Sequence, residues 1–346
     1  MSSNNTFNLT TNFSVVAGLL TPANKSLAVV NKPERTKFQH IFTTVTFLVA
    51  LCTNGFLLLV FLQGRRRLLT PFTVYIVNLL LGNVLLVAIE FPFMALNLYS
   101  GTFDEWVAGD FGCTVWLYGY MVFLAGIFGC HALIAISRVW AMVFPMHYRT
   151  RHTIRTAVLI CLASWLYVHV FGLSGLIVDT VLYRHLMKPY FCTVNYAQQA
   201  AYFKASKLIL FNLPELIMLL AFPVIGIGQV RRWRKRRSMG VVHQQQANQG
   251  NHVAVVVVQT QPSIQKRSHG MMVLAMLTVS VAVCWTPNIM YFTILTFRRI
   301  SPPEEFVVAQ HVLFSCQMIL DPILFVLGLR SLREGVKRFL FFRAVR

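Results

Sequence analysis

Along the 346 residues, apolar positions gather into long blocks and the charged residues fall into the gaps between them. A helix needs roughly 20 apolar residues to cross a bilayer's hydrocarbon core. Four stretches carry no Asp, Glu, Lys or Arg at all: Phe38–Gly64, Phe111–Ser137, Thr156–Val178 and Ser268–Phe297. Three more hold one acid each: Leu68–Phe103 with Glu90, Leu208–Val230 with Glu215, and Phe306–Leu329 with Asp321. The pattern predicts an all-α membrane protein, a seven-transmembrane helix bundle over residues 38–328. Past it, Leu329, Leu332, Val336, Phe339 and Leu340 recur at helical spacing, with Arg330, Arg333, Lys337 and Arg338 on the other face. That predicts a short amphipathic eighth helix in the inner interface, within a terminal segment 329–346 that leaves almost no cytoplasmic tail.

Composition sharpens the picture. Only 12% of residues are charged and 56% are hydrophobic, whereas a soluble domain carries about a quarter charged residues. Lipid is the solvent for most of this chain. Residues 1–37 form a polar tail with glycosylation sequons at Asn4, Asn8, Asn12 and Asn24, which favours a glycosylated, extracellular N-terminus. The arginine clusters at Arg65–Arg67, Arg149–Arg155, Arg231–Arg237 and Arg330 onward then fall on the cytoplasmic side. A net charge of +20 reads as topology and contact with anionic membrane lipids, not as nucleic-acid binding. No basic segment with an apolar core precedes Phe38, so the first span is expected to act as the insertion signal. A long inner loop occupies about 231–267 and holds a Gln/Asn-rich run. Of seven cysteines, only Cys113 and Cys192 fall at or beyond the outer face.

The spans also carry short motifs in a fixed order. Span one has Asn54-Gly55, span two Asn78-Leu79-Leu80-Leu81-Gly82-Asn83, and the segment before Cys113 has Trp106-Val107-Ala108-Gly109. Span three ends Ser137-Arg138-Val139, with Pro145 and Tyr148 following in register. Span four has Trp165, span five Phe211-Asn212-Leu213-Pro214, span six Cys284-Trp285-Thr286-Pro287, and span seven Asp321-Pro322-Ile323-Leu324-Phe325. In this order the chain resembles the rhodopsin-like (class A) G-protein-coupled receptors over nearly its whole length. The resemblance implies a plasma-membrane receptor that turns binding of an extracellular ligand into activation of a heterotrimeric G protein.

It also implies roles for particular residues. Cys113 and Cys192 are expected to form a disulfide that pins the long outer loop over the pocket. Alone, Arg138 at a span's end would snorkel to the interface; the register of Pro145 and Tyr148 implies instead that it moves between a resting packing and contact with the G protein. Ser137 replaces the family's neighbouring acid, and Lys266 and Arg267 stand where span six usually supplies another. With both carboxylates absent, raised basal signalling is expected. Asn83 and Asp321 look like the family's acid and amide exchanged, one carboxylate facing one amide. An interior partner is expected for that acid, with a structural pair and a switching role both open. Ile127 replaces a span-three hydroxyl, which argues against bound sodium. Trp285 and Pro287 read either as a buried aromatic beside a kink or as the pocket floor and a hinge, and the resemblance also places Pro214 and Pro322 among the activation-switch residues. Phe222 and Phe325 replace two tyrosines, and losing their hydroxyls weakens the expected coupling.

By register the pocket is lined by Glu90, Tyr120, Met121, Leu124, Trp285, Asn288, His311 and Ser315. Tyr120 stands where amine receptors carry an aspartate, which disfavours a biogenic amine. Ser315 stands where opsins carry the Schiff-base lysine, which disfavours retinal. Peptides, lipids and other small organic ligands stay open. An intramembrane acid calls for a partner: His131 for Glu215, and a ligand cation or His311 for Glu90, with a protonated structural role equally open for both. The basic run ending at Ser238 reads mostly as topology and lipid contact, or as a site for a basic-directed kinase at Ser238; arrestin and receptor kinases, as further partners, would have to use the inner-loop sites Ser238, Thr260, Ser263 and Ser268. Neither a nucleophile–base pair nor a metal-ligand cluster falls in one plausible site, so no enzyme, cofactor or metal is expected. The alternatives are an atypical seven-helix receptor with weak or no G-protein coupling, and a transporter or channel, against which stands the lack of internal repeats.

Overall fold

The computed structural model describes residues 32–99, 106, 108–184, 192, 194–196, 198–221, 223–224, 226–227, 275–298 and 303–344. The sequons, Phe222 and the inner-loop sites from Ser238 to Ser268 lie outside the described residues. Seven long helices succeed one another: α1 (Lys32–Gln63), α2 (Pro71–Tyr99), α3 (Gly109–Val143), α4 (Ile154–Tyr183), α5 (200–221), α6 (275–298) and α7 (Glu304–Gly328). An eighth, α8 (Arg330–Ala344), comes after α7 and a one-residue break at Leu329. Six of the described helices are long and apolar enough to cross a membrane, those containing Ile41–Gln63, Pro71–Phe93, Gly109–Val143, Ile154–Tyr183, Ala275–Ile294 and Val308–Gly328. The chain is therefore a multi-pass helical membrane protein, with α5 the fifth member of the bundle.

Two outer boundaries differ from the sequence reading. The loop expected over Asp179–Lys207 is shorter, because α4 continues through Tyr183 and α5 begins with Ala200–Lys207. A charge-free run marks only the part of a helix inside hydrocarbon, and polar turns extend beyond it. The inner segment after α1 also contains a single helical turn, Arg65–Leu68.

Small residues decide which helix lies at the centre. In its most apolar window α3 is 83% buried, against 22% for α4. Gly112, Gly119, Gly126 and Ala132 line α3 and let neighbouring helices approach closely. At Gly126 an added Cβ would run into the Trp165 ring of α4. Trp165 is fixed there by donating to Asn78 Oδ1 at 2.9 Å, while Asn78 Nδ2 donates to Cys130 Sγ at 2.9 Å, so three helices share one polar knot. Outward positions such as Leu59, Leu62, Leu159, Leu162 and Leu166 stay exposed and form the lipid-facing surface. α8 buries Leu332, sets Phe339 edge-on to Phe56 of α1, and turns Arg330 and Glu334 outward.

Candidate functional site

Three helices are irregular where the chemistry lies. α3 opens into a π-turn over Gly119–Phe123, which contains Tyr120 and Met121, and α5 does so over Leu208–Asn212, just before Pro214. Each π-turn inserts a residue and rotates the rest of its helix by roughly 100°. α6 is interrupted at Trp285, and Thr286–Arg298 restarts with Pro287 in its first turn, where a missing N–H is tolerated. The register candidates Glu90, Tyr120, Met121, Leu124, Trp285, Asn288, His311 and Ser315 are all buried, from 1% to 9% exposed. Above Trp285, Asn288 Nδ2 donates to Gln310 Oε1, joining α6 to α7. Tyr291 and Phe292 pack with Phe306 as a cluster separate from the main apolar core. Polar side chains, not a continuous apolar seam, therefore occupy the outer centre of the bundle.

Glu90 does not take His311, and Glu215 does not take His131. His311 Nε2 lies 3.3 Å from Thr43 Oγ1, so it faces α1 instead of Glu90. Glu90 is 2% exposed and has no hydrogen-bond partner among the described residues; the Tyr120 phenol lies within its electrostatic reach. His131 does not pair with Glu215, which sits beside Thr286 and within electrostatic reach of Lys207. Similar depth in the membrane fixes height but not facing, and the π-turns in α3 and α5 reset the facing.

His131 instead joins the deep network. Its Nε2 lies 3.1 Å from Asp321 Oδ2, and Asn83 Nδ2 donates to the same oxygen at 3.3 Å. Gln317 Nε2 donates to Asp321 Oδ1 at 2.7 Å and reaches Ser280 Oγ at 3.2 Å. Asn83 also donates to Asn54 Oδ1 at 3.0 Å, and Asn54 donates to the Met318 carbonyl beside Pro322 at 2.9 Å. One fully buried carboxylate on α7 thus joins α2 and α3 directly and α1 through Asn83, and the partner set answers its desolvation. The His131 ring also stands edge-on to Trp285 at 4.7 Å, and Phe128 meets Trp285 at 4.0 Å. Trp285, the expected pocket floor, and the polar network are therefore in direct contact. Phe325, one turn below Asp321, is fully buried.

At the inner end, Arg138 has no acid beside it among the described residues. Its guanidinium lies 3.2 Å from the Phe72 ring centroid of α2, and its Nε has no partner. Ser137 turns its hydroxyl back to the Ile134 carbonyl. Around them Trp140 meets Tyr148 and His152 edge-on and His147 at a tilt, Tyr148 stacks on His152, and Tyr75 Oη lies 3.1 Å from His152 Nε2. Burial first, and the Arg138 charge second, hold the His152 imidazole below its ordinary value. Burial raises the Tyr148 phenol, and Arg138 pulls it partly back.

The outer loop is bridged by Cys113 and Cys192, with Cα atoms 5.5 Å apart. The sequence reading missed its second fastening. Asp179 is fully buried, receives Arg184 Nε at 2.6 Å and the Asn195 N–H at 2.7 Å, while Arg184 also reaches Cys113 Sγ at 3.2 Å. Its signal was an acid directly at the end of a charge-free run, with an arginine five residues later.

Comparison with known proteins agrees with this architecture. The chain is 24% identical over 334 residues to human (Homo sapiens) proteinase-activated receptor 2, an alignment covering 93% of this chain and 76% of that receptor. It is 24% identical over 217 residues to G-protein coupled receptor 161 of Xenopus tropicalis, covering 62% of this chain and 41% of that protein. It is 28% identical over 188 residues to the alpha-2B adrenergic receptor of Rattus norvegicus, covering 53% and 39%. The chain thus spans less than half the length of the latter two. The family model described as 7 transmembrane receptor (rhodopsin family) matches residues 53–325, and with the seven-helix bundle, the bridged outer loop and the ordered motifs in place, the chain belongs to that family of receptors, not to the enzymes.

Proposed function

We propose that this protein is a plasma-membrane receptor, with its N-terminus outside, in which an extracellular ligand bound among the outer-half residues around Tyr120, Asn288 and His311 activates a heterotrimeric G protein at the inner face. The observation that carries the reading is the double contact of His131, with the Trp285 ring on one side and Asp321 on the other. A ligand that displaces Trp285 disturbs the one carboxylate that ties four helices together. Arg138 and the inner ends of α5 and α6 then take up the G protein. Agonist and G protein strengthen each other's binding reciprocally, because both favour one bundle arrangement. The names of the relatives point to different stimuli, so no ligand is carried over from them; Tyr120 and Ser315 still disfavour an amine and retinal.

The test is nucleotide exchange on purified heterotrimers by the receptor in nanodiscs. Wild type should accelerate exchange over empty discs and Arg138→Ala should not; no acceleration of any G-protein class would refute the coupling. The same discs fused to vesicles should show no ion flux, which separates a channel. A second reading, a receptor that couples weakly, draws support from Phe325 and from the hold of Phe72 on Arg138. In that case ligand binds while exchange stays at the empty-disc rate. Surface labelling of an N-terminal epitope, with a glycosidase-sensitive size shift, tests orientation and the sequons. Recruitment assays test arrestin and receptor kinases as further partners.

A further inference from the structure

Lys207 has no place in the network around Asp321. It lies on α5 at the start of the π-turn Leu208–Asn212, in the outer half of a membrane-spanning helix, and is only 9% exposed. Its ammonium sits 5.1 Å from the Phe211 ring centroid of its own helix and 5.1 Å from that of Phe292 on α6. Among the described residues it has no hydrogen-bond acceptor and no carboxylate at ion-pairing distance; Glu215, two turns deeper, acts on it only from afar. An ammonium carries three donors, and two ring faces satisfy none of them as an oxygen would. A buried lysine held in place by aromatic faces with its donors unused is arranged to receive an acceptor from outside the protein.

We propose that Lys207 is the anchor for an anionic group, a carboxylate or phosphate borne on an apolar body, of the ligand that this receptor binds. The proposal rests on the receptor reading and adds the ligand's chemical class. The aromatic pair matches an apolar body, since Phe211 continues to Phe128 and thence to Trp285 at the floor. One turn outward Lys204 lies over the Phe297 ring, so two cations line the approach. Lys207 also stands at the seam of the two helices whose separation the function requires, because Phe292 belongs to α6. An anion drawn between Phe211 and Phe292 changes that seam directly.

The experiment is a set of melting curves on the purified, ligand-free receptor in nanodiscs, which need no G protein. Lys207→Met replaces an unpaired ammonium by an apolar chain of similar length and is expected to raise the melting temperature by about 2 °C or more. Lys207→Gln serves as a second variant if Met packs poorly. Probes are 3-phenylpropionate and phenyl phosphate against the neutral 3-phenylpropanol, and oleate against oleyl alcohol; the first set reports a soluble acid, the second a lipid acid. The acids of at least one set should raise the melting temperature of wild type and Lys207→Arg more than their neutral partners do, and that difference should vanish in Lys207→Met and Lys207→Gln. A lower melting temperature for both neutral variants shows a structural lysine and overturns the proposal. So does equal action of charged and neutral probes on wild type, or a charge preference that survives the loss of Lys207. Exchange measured on the same preparation reports separately on the receptor reading.

Discussion

Exchanging the two members of the deep pair tests whether Asn83 and Asp321 act as one unit. Asp321 accepts from Gln317 at 2.7 Å, from His131 at 3.1 Å and from Asn83 at 3.3 Å. Asp321→Asn keeps one acceptor oxygen but turns an NH2 toward a donor, which costs about 2 kcal/mol by the scale of an unsatisfied buried group. Asn83→Asp alone sets two carboxylates side by side and removes the donor to Asn54, again about 2 kcal/mol. The double variant restores one acid and one amide and should lose only about 1 kcal/mol, a coupling of about 3 kcal/mol. At about 2 °C per kcal/mol for a chain of this size, each single change lowers the melting temperature by about 4 °C and the double by about 2 °C. Buried Cys130, Cys161 and Cys284 make the measurement practical, since a thiol-reactive dye reports their exposure as the bundle opens. If the double variant's shift equals the sum of the singles to within about 1 °C, the two side chains do not interact and the reasoning fails.

The two faces of the bundle give further expectations. Phe72→Leu removes the ring that holds Arg138, a contact worth about 1–2 kcal/mol, and should raise basal nucleotide exchange roughly fivefold or more, while Phe72→Tyr should not. Ser137→Asp supplies the missing acid and should lower basal exchange; unchanged exchange would show that Arg138 is not the resting restraint. His152 is held below its ordinary value by burial and Arg138, so the unfolded state binds its proton more readily than the folded one. Its contribution to stability is complete above about pH 6.5 and is lost as the pH falls below that, a slope that His152→Gln should flatten in melts taken across pH 5–7. Removing the Cys113–Cys192 bridge, which closes a separation of 79 residues, should lower stability by up to about 4.5 kcal/mol, and Asp179→Asn should lower it further by freeing Arg184. Equal melting of the bridged and Asp179→Asn forms would remove Asp179 from the loop's fastening.

Charge-free length located each span because hydrocarbon tolerates few unpaired charges; for Phe38–Gly64 and Thr156–Val178 the inner helix ends, Gln63 and Ile154, fall close to the expectation, while the outer ends, Lys32 and Tyr183, run further. The same rule was blind to Ala200–Lys207, a helical turn pair with two lysines that a charge count assigns to a loop. Motif order located Trp285, Asp321 and Cys113. Facing was the part that sequence did not carry. His131 was matched to Glu215 by depth and His311 was offered to Glu90, and both turn elsewhere; for His131 and Glu215 the π-turns in α3 and α5 shift every later residue around the helix without leaving a mark in composition. Lys207 passed unnoticed for a related reason. A lysine at the edge of an apolar run reads as a snorkelling residue, and only the rings of Phe211 and Phe292 show it held inward.

These placements explain how so polar a centre survives in a chain with so few charges. Asp321 is tolerated in the bundle because Asn83, His131 and Gln317 converge on it from three directions. A carboxylate satisfied by α2, α3 and α7 at once loses part of that satisfaction whenever one of them shifts. The bundle is thus stiff at this level, and a disturbance at Trp285 has a short route inward through His131. Arg138, by contrast, rests among the described residues on one aromatic face with Nε unpaired, so the inner end is the softer of the two. A receptor built with a stiff middle and a soft inner mouth should show large effects of Phe72 on exchange with little effect on melting, and the reverse for Asp321. Measuring both quantities on both variants decides whether the two levels are separable; proportional changes in all four would mean that they are not.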